Sequence, residues 1–291
     1  MITVFTPTYN RAYIIGKLYQ SLCQQTCNDF EWLVVDDGST DNTQELINSY
    51  ISEKKITIRY IHKKNGGKHT AINLGVKEAK GELFFIVDSD DHLTNDAVEW
   101  IKKNSQEIIN DSRYAGLSGV RISINGNRIG GKFAPSIINC SALDIRNKFN
   151  IKGDLAEIYK TDVLRQYPFP VFENEKFVTE ALIWNRIATD GYILKYTNKA
   201  IYKCEYRNDG LTAQMTKLRK NNPKATAAYY SEYYKCHIPT LQKIKTAINY
   251  WRFAPFNKIS FLNKVLQMGM KSIYGIPMGF AYYLIDKHSS R

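Results

Sequence analysis

Leu83-Phe84-Phe85-Ile86-Val87-Asp88-Ser89-Asp90-Asp91 runs five apolar residues straight into three carboxylates. Such a run, bounded by Gly81 and by Asn95-Asp96, predicts a strand buried on both faces, the kind found in a parallel sheet covered by helices. In an open parallel sheet, ligands bind beyond the carboxyl ends of the strands, so acids at that end face a crevice. Asp88 and Asp90, two apart in an extended segment, can turn their oxygens toward one hard cation. Mg²⁺ or Mn²⁺ is held by one or two carboxylates plus substrate phosphates. Asp and Ser are also ordinary turn residues, so a merely solvated strand end is the competing reading.

The sequence around that stretch repeats its grammar. Ile2-Thr3-Val4-Phe5 predicts a strand stopped by Pro7, and Ile14, Ile15, Leu18 and Leu22 give a helix over about 14–25. Phe30–Val35 predicts a second strand, and Asp41, three residues before Gln44, reads as a capping box opening a helix through Leu46, Ile47 and Tyr50. Ile56–Ile61 alternates as a third strand. Gly66-Gly67 breaks the chain before a helix over about 68–79, and the acidic strand is the fourth. Thr94 is placed to cap a helix over 97–109. Four strands alternating with helices imply βαβ units and a mostly parallel, Rossmann-like sheet, an α/β fold. After Ala115 the rhythm changes. Asn125-Gly126 suits a hairpin turn between Gly119–Ile124 and Ile129. Asp154–Lys160 and Ile193–Tyr206 supply further strands around a helix over about 177–188. With no internal repeat or low-complexity linker, one catalytic domain over 1–215 and a helical extension over 216–291 are expected.

Composition bounds the class. The 291 residues are 44% hydrophobic and 23% charged, as in a globular protein with a large core. The formal charge of +12 suits phosphates, nucleic acid or anionic lipid without choosing among them. Five cysteines with no Cys-x-x-Cys pair argue against a disulfide framework and a zinc site, and Cys23 and Cys27 are expected on one helix face. No apolar stretch reaches the roughly 18 residues that span a bilayer, and the chain opens in a strand pattern; a cytoplasmic location is expected.

Each early strand leaves polar residues at its carboxyl end: Thr6, Thr8, Tyr9, Asn10 and Arg11, then Asp36 and Asp37, then Lys63 to Lys68. With the acids of the fourth strand they would line one edge of one sheet. There a metal and Lys68 could hold phosphates, a carboxylate could accept from a base, and Tyr9 could stack on a ring.

Thr6-Pro7-Thr8-Tyr9-Asn10-Arg11, Val34-Val35-Asp36-Asp37-Gly38-Ser39-Thr40-Asp41, Asn65-Gly66-Gly67-Lys68 with Asn73, and Asp88-Ser89-Asp90-Asp91 resemble, in order, the motifs of family 2 GT-A glycosyltransferases. Thr179-Glu180-Ala181-Leu182-Ile183-Trp184-Asn185-Arg186 resembles that family's Glu-Asp-x-x-Leu-x-x-Arg segment. The resemblance implies a GT-A fold and an inverting transfer from a nucleotide diphosphate sugar, a UDP-sugar first, to a glycan hydroxyl in surface polysaccharide synthesis. It makes Thr6, Pro7, Tyr9 and Arg11 a wall of the nucleotide pocket. Asp37, with Asp36, would accept from the base, and Lys68 would lie near base or diphosphate. Asp88 would sit near ribose and metal, and Asp90 would be the principal ligand of Mn²⁺ or Mg²⁺. Glu180 falls where the family has its catalytic Asp, with Glu173 and Glu175 as rival acids.

An attacking hydroxyl must lose its proton, which suits a carboxylate base, and the leaving diphosphate gains charge, which suits a divalent cation. Trp184, one helical turn beyond Glu180, either stacks on the acceptor sugar or packs its helix on the core, and Asp154 is a second acceptor candidate. A haloacid-dehalogenase-like phosphohydrolase also carries Asp-x-Asp at a strand end, although after the first strand. A basic surface-binding protein without catalysis is the third reading, resting on charge alone. Nucleic acid is not expected as a partner. Tyr229, Tyr230, Tyr233 and Tyr234, then Trp251-Arg252-Phe253 and Ile273–Ile285 beside Lys258, Lys264 and Lys271, suit either an interfacial helix on an anionic membrane or packing on the catalytic domain. The resemblance favours the membrane, with a lipid-linked glycan as acceptor.

Overall fold

A computed structural model describes residues 1–131, 136–204 and 214–288. The chain divides into two compact units, Met1–Pro168 with Asp190–Tyr206, and Phe169–Thr189 with Arg207–Arg291.

The first unit holds all nine described strands: β1 Ile2–Thr8, β2 Phe30–Asp36, β3 Ile58–His62, β4 Leu83–Ile86, β5 His92–Leu93, β6 Tyr114–Ser123, β7 Ile137–Cys140, β8 Leu155–Lys160 and β9 Ile193–Cys204. Residues 205 and 206, expected to prolong the last strand, lie outside the described residues. Its helices are α1 Gly16–Cys23, α2 Thr43–Glu53, α3 Lys68–Glu78, α4 Ala97–Ser105, α5 Ala142–Asn147 and α6 Thr161–Gln166. The sheet runs β3-β2-β1-β4-β8-β6-β9-β5, with β7 added on β9. β3, β2, β1 and β4 are parallel, as the alternation of strands and helices requires. Beyond them β8 runs antiparallel to both β4 and β6, and β9 is parallel to β6.

Apolar residues alternate across this sheet. Val4, Trp32, Val34 and Phe85 join Ile15, just before α1, and Leu18, Leu22, Ile47, Val98 and Ile101 of α1, α2 and α4 in one buried cluster. Phe5 stacks on Phe84 with ring centroids 4.8 Å apart, and α3 lies so close that a Cβ at Gly75 would fall 2.1 Å from the Phe5 ring. Truncating Phe5 to Ala would cost about 3–5 kcal/mol on cavity grounds. β2 and β4 lie on opposite sides of β1, so the strand order reverses there, and the crevice at such a switch point opens beyond the carboxyl ends of β1 and β4.

Several local expectations are corrected. Asp41 does not reach Gln44; it accepts from the Thr43 N–H at 3.1 Å and from that of Ala12 at 3.1 Å, tying two loops together. The first residue outside α4 is Asp96, and Thr94 acts two residues earlier, its hydroxyl donating to Asp96 at 2.8 Å and its carbonyl accepting from Ala97. Helix α1 ends at Cys23, so Cys27 follows in a loop, although both are half-buried against the core. The Asn125-Gly126 turn forms, but among the described residues its return leg pairs only through an Ile122–Arg128 bridge.

The second unit is helical: α7 Ala181–Thr189, α8 Met215–Asn221, α9 Pro223–Lys235, α10 Thr240–Phe253, α11 Phe261–Met268 and α12 Ile276–His288. Tyr230, Tyr250, Trp251, Phe253, Val265 and Met268 form its core. Of the aromatic cluster at its start Tyr230 is interior, stacked on Phe253, while Tyr229, Tyr233 and Tyr234 are half-buried; farther on, the Trp251 indole donates to the Ser272 carbonyl at 2.9 Å.

Candidate active site

The acidic stretch leaves β4 as a turn, not as an extended segment: the Asp91 N–H returns to the Asp88 carbonyl at 3.1 Å. Asp88 pairs with Lys68, the first residue of α3, at 2.6 Å. Burial acts to raise the Asp88 carboxyl, but Lys68, Arg121 and Arg11 outweigh it and hold it below the usual carboxylate range. Asp90 behaves oppositely, raised by burial and by the Asp88 charge. Asp91 is raised to about 7 by burial and Asp88, against the Tyr202 hydroxyl that donates to it at 2.7 Å.

That hydroxyl also accepts from the Asp88 N–H at 3.0 Å, so Tyr202 of β9 pins both ends of the turn. The Arg121 guanidinium of β6 lies 4.3 Å from the centre of the Tyr202 ring and donates to the Leu155 carbonyl at 3.1 Å. Burial disfavours its charge, while Tyr202, Asp88, Asp154 and Glu157 favour it, the net effect holding it ionised. Asp154, exposed just before β8, thus stands within the electrostatic reach of the same cluster. No local pattern marks Arg121 or Tyr202, which lie on β6 and β9, beyond the parallel half. Asp91 was visible, but without a task.

Asp36 and Asp37 hold loops. Asp36 accepts from the Ser39 N–H at 2.7 Å and the Tyr60 hydroxyl at 2.6 Å. Asp37 accepts from Lys63 at 2.5 Å, the Gly66 N–H at 2.9 Å and the Gly67 N–H at 2.7 Å. Three donors occupy a carboxylate with about four acceptor sites, leaving about one for a ligand. Gly67, at φ 96°, supplies the left-handed turn that aims its N–H at Asp37 and starts α3. Across β1, the Asn10 side chain accepts from the Thr40 N–H at 2.8 Å, and its own N–H donates to Ser39 at 2.8 Å.

The expected wall residues divide. Thr6 is fully buried and its hydroxyl accepts from the Trp32 indole at 2.9 Å, so it serves the sheet; Pro7 is also buried. Tyr9 is 49% exposed at the mouth, and the half-buried Arg11 hydrogen-bonds Tyr13. The first unit therefore gathers Tyr9, Arg11, Lys68, Asp88, Asp90, Arg121 and Asp154 at the switch-point end of its sheet.

Glu180 and Trp184 belong to the second unit. Glu180 immediately precedes α7, and its carbonyl accepts from Ile183 at 2.9 Å and Trp184 at 3.2 Å. Trp184 is half-buried and meets Phe169 edge-on, with centroids 6.4 Å apart. Of the rival acids, Glu175 is 7% exposed, and its two oxygens cap α9 through the N–H groups of Lys224 at 2.7 Å and Ala225 at 2.8 Å. That carboxylate is committed to structure. Glu173 is exposed.

Among the described residues no three His, Cys, Asp or Glu side chains form a ready metal cage. The donor set still fits Mn²⁺ or Mg²⁺. Asp90 is a hard oxygen donor with no side-chain partner among the described residues, raised by a second carboxylate nearby, and such ions take one or two carboxylates plus phosphate oxygens.

Residues 3–154 match the family model "Glycosyl transferase family 2". The chain belongs to that family. An uncharacterised glycosyltransferase of Rickettsia bellii is 30% identical over 219 residues, 72% of this chain and 29% of that protein. The chain thus spans under a third of that relative's length. TarS 1–349 of S. aureus, solved with UDP, superposes with a TM-score of 0.66 at 19% identity, over 100% of this chain and 91% of that one. Mannosyltransferase PcManGT of Pyrobaculum calidifontis, solved with GDP-Man and Mn²⁺, gives 0.59 at 17% identity, over 98% and 85%. These likenesses establish the GT-A-type fold, and membership in a transferase family removes the phosphohydrolase alternative.

Proposed function

We propose that the chain is a metal-dependent inverting glycosyltransferase that moves a sugar from a nucleotide diphosphate sugar, a UDP-sugar first, to a glycan hydroxyl in surface polysaccharide synthesis. One observation carries the reading: Asp88 and Asp90 meet Lys68, Arg11 and Arg121 at the sheet's switch point. Paired acids with converging cations suit a metal-bound diphosphate, and the UDP of TarS and the GDP-Man and Mn²⁺ of PcManGT support a nucleotide sugar as donor.

In this reading Tyr9 offers its ring to the base, and the remaining acceptor site of Asp37 takes a base N–H. Asp90, with Asp88, would hold Mn²⁺ or Mg²⁺, which supplies Lewis-acid stabilisation of the diphosphate. Lys68, Arg11 and Arg121 carry fixed positive charge to the departing phosphates, and these groups need no reorganisation as charge develops. Glu180 takes the proton from the acceptor hydroxyl as that oxygen attacks the anomeric carbon and the bond to the diphosphate breaks. Trp184 and Asp154 contact the acceptor, a glycan carried on a lipid at an anionic membrane face inside the cell.

The test is release of nucleoside diphosphate from a panel of nucleotide sugars with Mn²⁺. Asp90→Ala should abolish release and weaken metal-dependent nucleotide binding by tenfold or more. Nucleotide binding that is unchanged in Asp90→Ala and indifferent to chelator refutes the metal assignment, and release of inorganic phosphate alone refutes the transfer.

A further inference from the structure

The net charge of this chain is not spread along it. Residues from 207 onward carry 14 Lys and Arg against three Asp and Glu, so eleven of the twelve net positive charges fall there. Beyond Glu232 the only acidic side chain is Asp286, and it is 6% exposed, clamped by two bonds of 2.7 Å from Arg252. Among the described residues beyond Glu232, then, no exposed acidic side chain offsets Lys245, Lys258, Lys271 and Lys287, which are all exposed.

The same segment exposes apolar surface in a way the core does not explain. Ile276–Ile285 contains no charged residue. One side of α12 is pressed on α10, where a Cβ at Gly279 would meet the Ile248 carbonyl and the Trp251 Cβ at 2.7 Å. The other side keeps Met278 53%, Phe280 51% and Ile285 59% exposed. On α11, Val265 and Met268 are buried while Leu262 and Leu266, one turn apart, are 65% and 66% exposed, and Met270 follows at 68%. A helix that is apolar all round is ordinarily buried on all sides, and exposed apolar patches flanked by basic residues mark interaction surfaces.

We propose that the outer face of α11 and α12 is a docking surface for an anionic lipid bilayer, with Leu262, Leu266, Met278, Phe280 and Ile285 entering the acyl boundary and the lysines meeting the headgroups. Charge complementarity selects this occupant, because a second copy of the chain would bring the same uncompensated lysines against these. The contact is interfacial. No described helix is long and apolar enough to cross a membrane, and the 13 residues of α12 extend about 20 Å against a hydrocarbon core of about 30 Å. The proposal assigns the surface behind the membrane-side acceptor suggested above, but it rests on the helical unit alone, and vesicle binding is scored separately from turnover.

The test is flotation of the full chain with phosphatidylcholine vesicles, with and without 30% phosphatidylglycerol, at 50 and 500 mM salt. Flotation is expected with the anionic vesicles at low salt and should weaken steeply at high salt. Met278→Glu with Ile285→Glu should lower the partition coefficient by roughly tenfold or more while melting temperature and nucleotide turnover stay unchanged. Lys258→Glu with Lys271→Glu, at exposed positions, gives a second reading should the first variant lose its fold. Failure of the parent chain to float with anionic vesicles at 50 mM salt, or flotation of both variants equal to the parent, overturns the proposal. A concentration-dependent dimer that both variants dissociate overturns it as well, by assigning the face to a second copy.

Discussion

His69, the second residue of α3, is 1% exposed, and among the described residues neither Nδ1 nor Nε2 has a hydrogen-bond partner. Its pKa is pushed down to about 4, burial being the main cause, with Asp37 opposing and Lys63 assisting. The unfolded chain takes up the imidazole proton below about pH 6.5, the folded chain only below about 4. Between those values the unfolded state binds more protons, so stability rises with pH: the contribution is complete above about 6.5 and is lost as pH falls toward 4. The gap corresponds to about 3 kcal/mol. Urea unfolding at pH 7.0, 5.5 and 4.5 should show the parent losing about 2 kcal/mol of this by pH 4.5, beyond what its carboxylates contribute, and His69→Leu sparing it. At pH 7.0 the variant should lie within about 1 kcal/mol of the parent, because the substitution removes two unpaired buried nitrogens instead of breaking bonds. Parallel pH profiles for the two proteins would refute the reasoning, as would a loss above 3 kcal/mol at pH 7.0, which would mean the imidazole has partners.

Three further predictions follow from the site. Glu180→Gln should lower turnover about 10²- to 10⁴-fold with donor affinity nearly unchanged, in single-turnover and binding assays; near-parental turnover would remove Glu180 as the base. Glu175→Gln should instead cost about 1–2 kcal/mol in urea unfolding, because α9 loses a charged cap, with turnover per folded molecule within about twofold. Tyr202→Phe leaves the Asp88 N–H and one Asp91 oxygen without their partner, and should cost about 1–3 kcal/mol and weaken nucleotide binding by titration; an unaltered melting temperature would contradict the bridge.

The parallel half of the fold was readable because its signals are local. The run Leu83–Val87, the alternation of β1 to β3 with their helices, and Gly66-Gly67 before α3 each lie within a dozen residues. In the second half β8 and β9, expected over Asp154–Lys160 and Ile193–Tyr206, were also readable, but not their order or direction, because β8 and β6 pair with β4 and with each other, and a pairing partner leaves no periodic mark in the sequence. The site divides in the same way. Asp88 and Asp90 announce themselves at a strand end, whereas Tyr202 is 111 residues from the Asp91 it holds. Asp36 and Asp37 show the converse: the motif is plain in sequence, but their hydrogen bonds, to groups up to 30 residues away, show that they brace the loops around the crevice. Glu175 lost its candidacy for the same reason, since its partners on α9 lie about fifty residues downstream.

The charge balance at the crevice bears on why a cation would be needed. Asp88, Asp90 and Asp91 act on one another and lie within reach of Lys68, Arg11 and Arg121, and Asp154 and Glu157 act on Arg121 as well. Asp91, raised to about 7, is only partly ionised at neutral pH, so the protein alone leaves at most a small positive excess. A nucleoside diphosphate would bring more negative charge than this excess can meet, and it would enter where Asp90 is already raised by its neighbour. Without further positive charge, proton uptake on Asp90 would be the cheapest relief, and it would remove the carboxylate that the proposed site needs. A divalent cation on Asp90 would reverse the balance, neutralising diphosphate and carboxylate together. Nucleotide affinity should therefore fall more steeply with rising pH in the presence of chelator than with Mn²⁺, measured by titration between pH 6 and 8. Identical slopes with and without the metal would show that Lys68, Arg11 and Arg121 suffice.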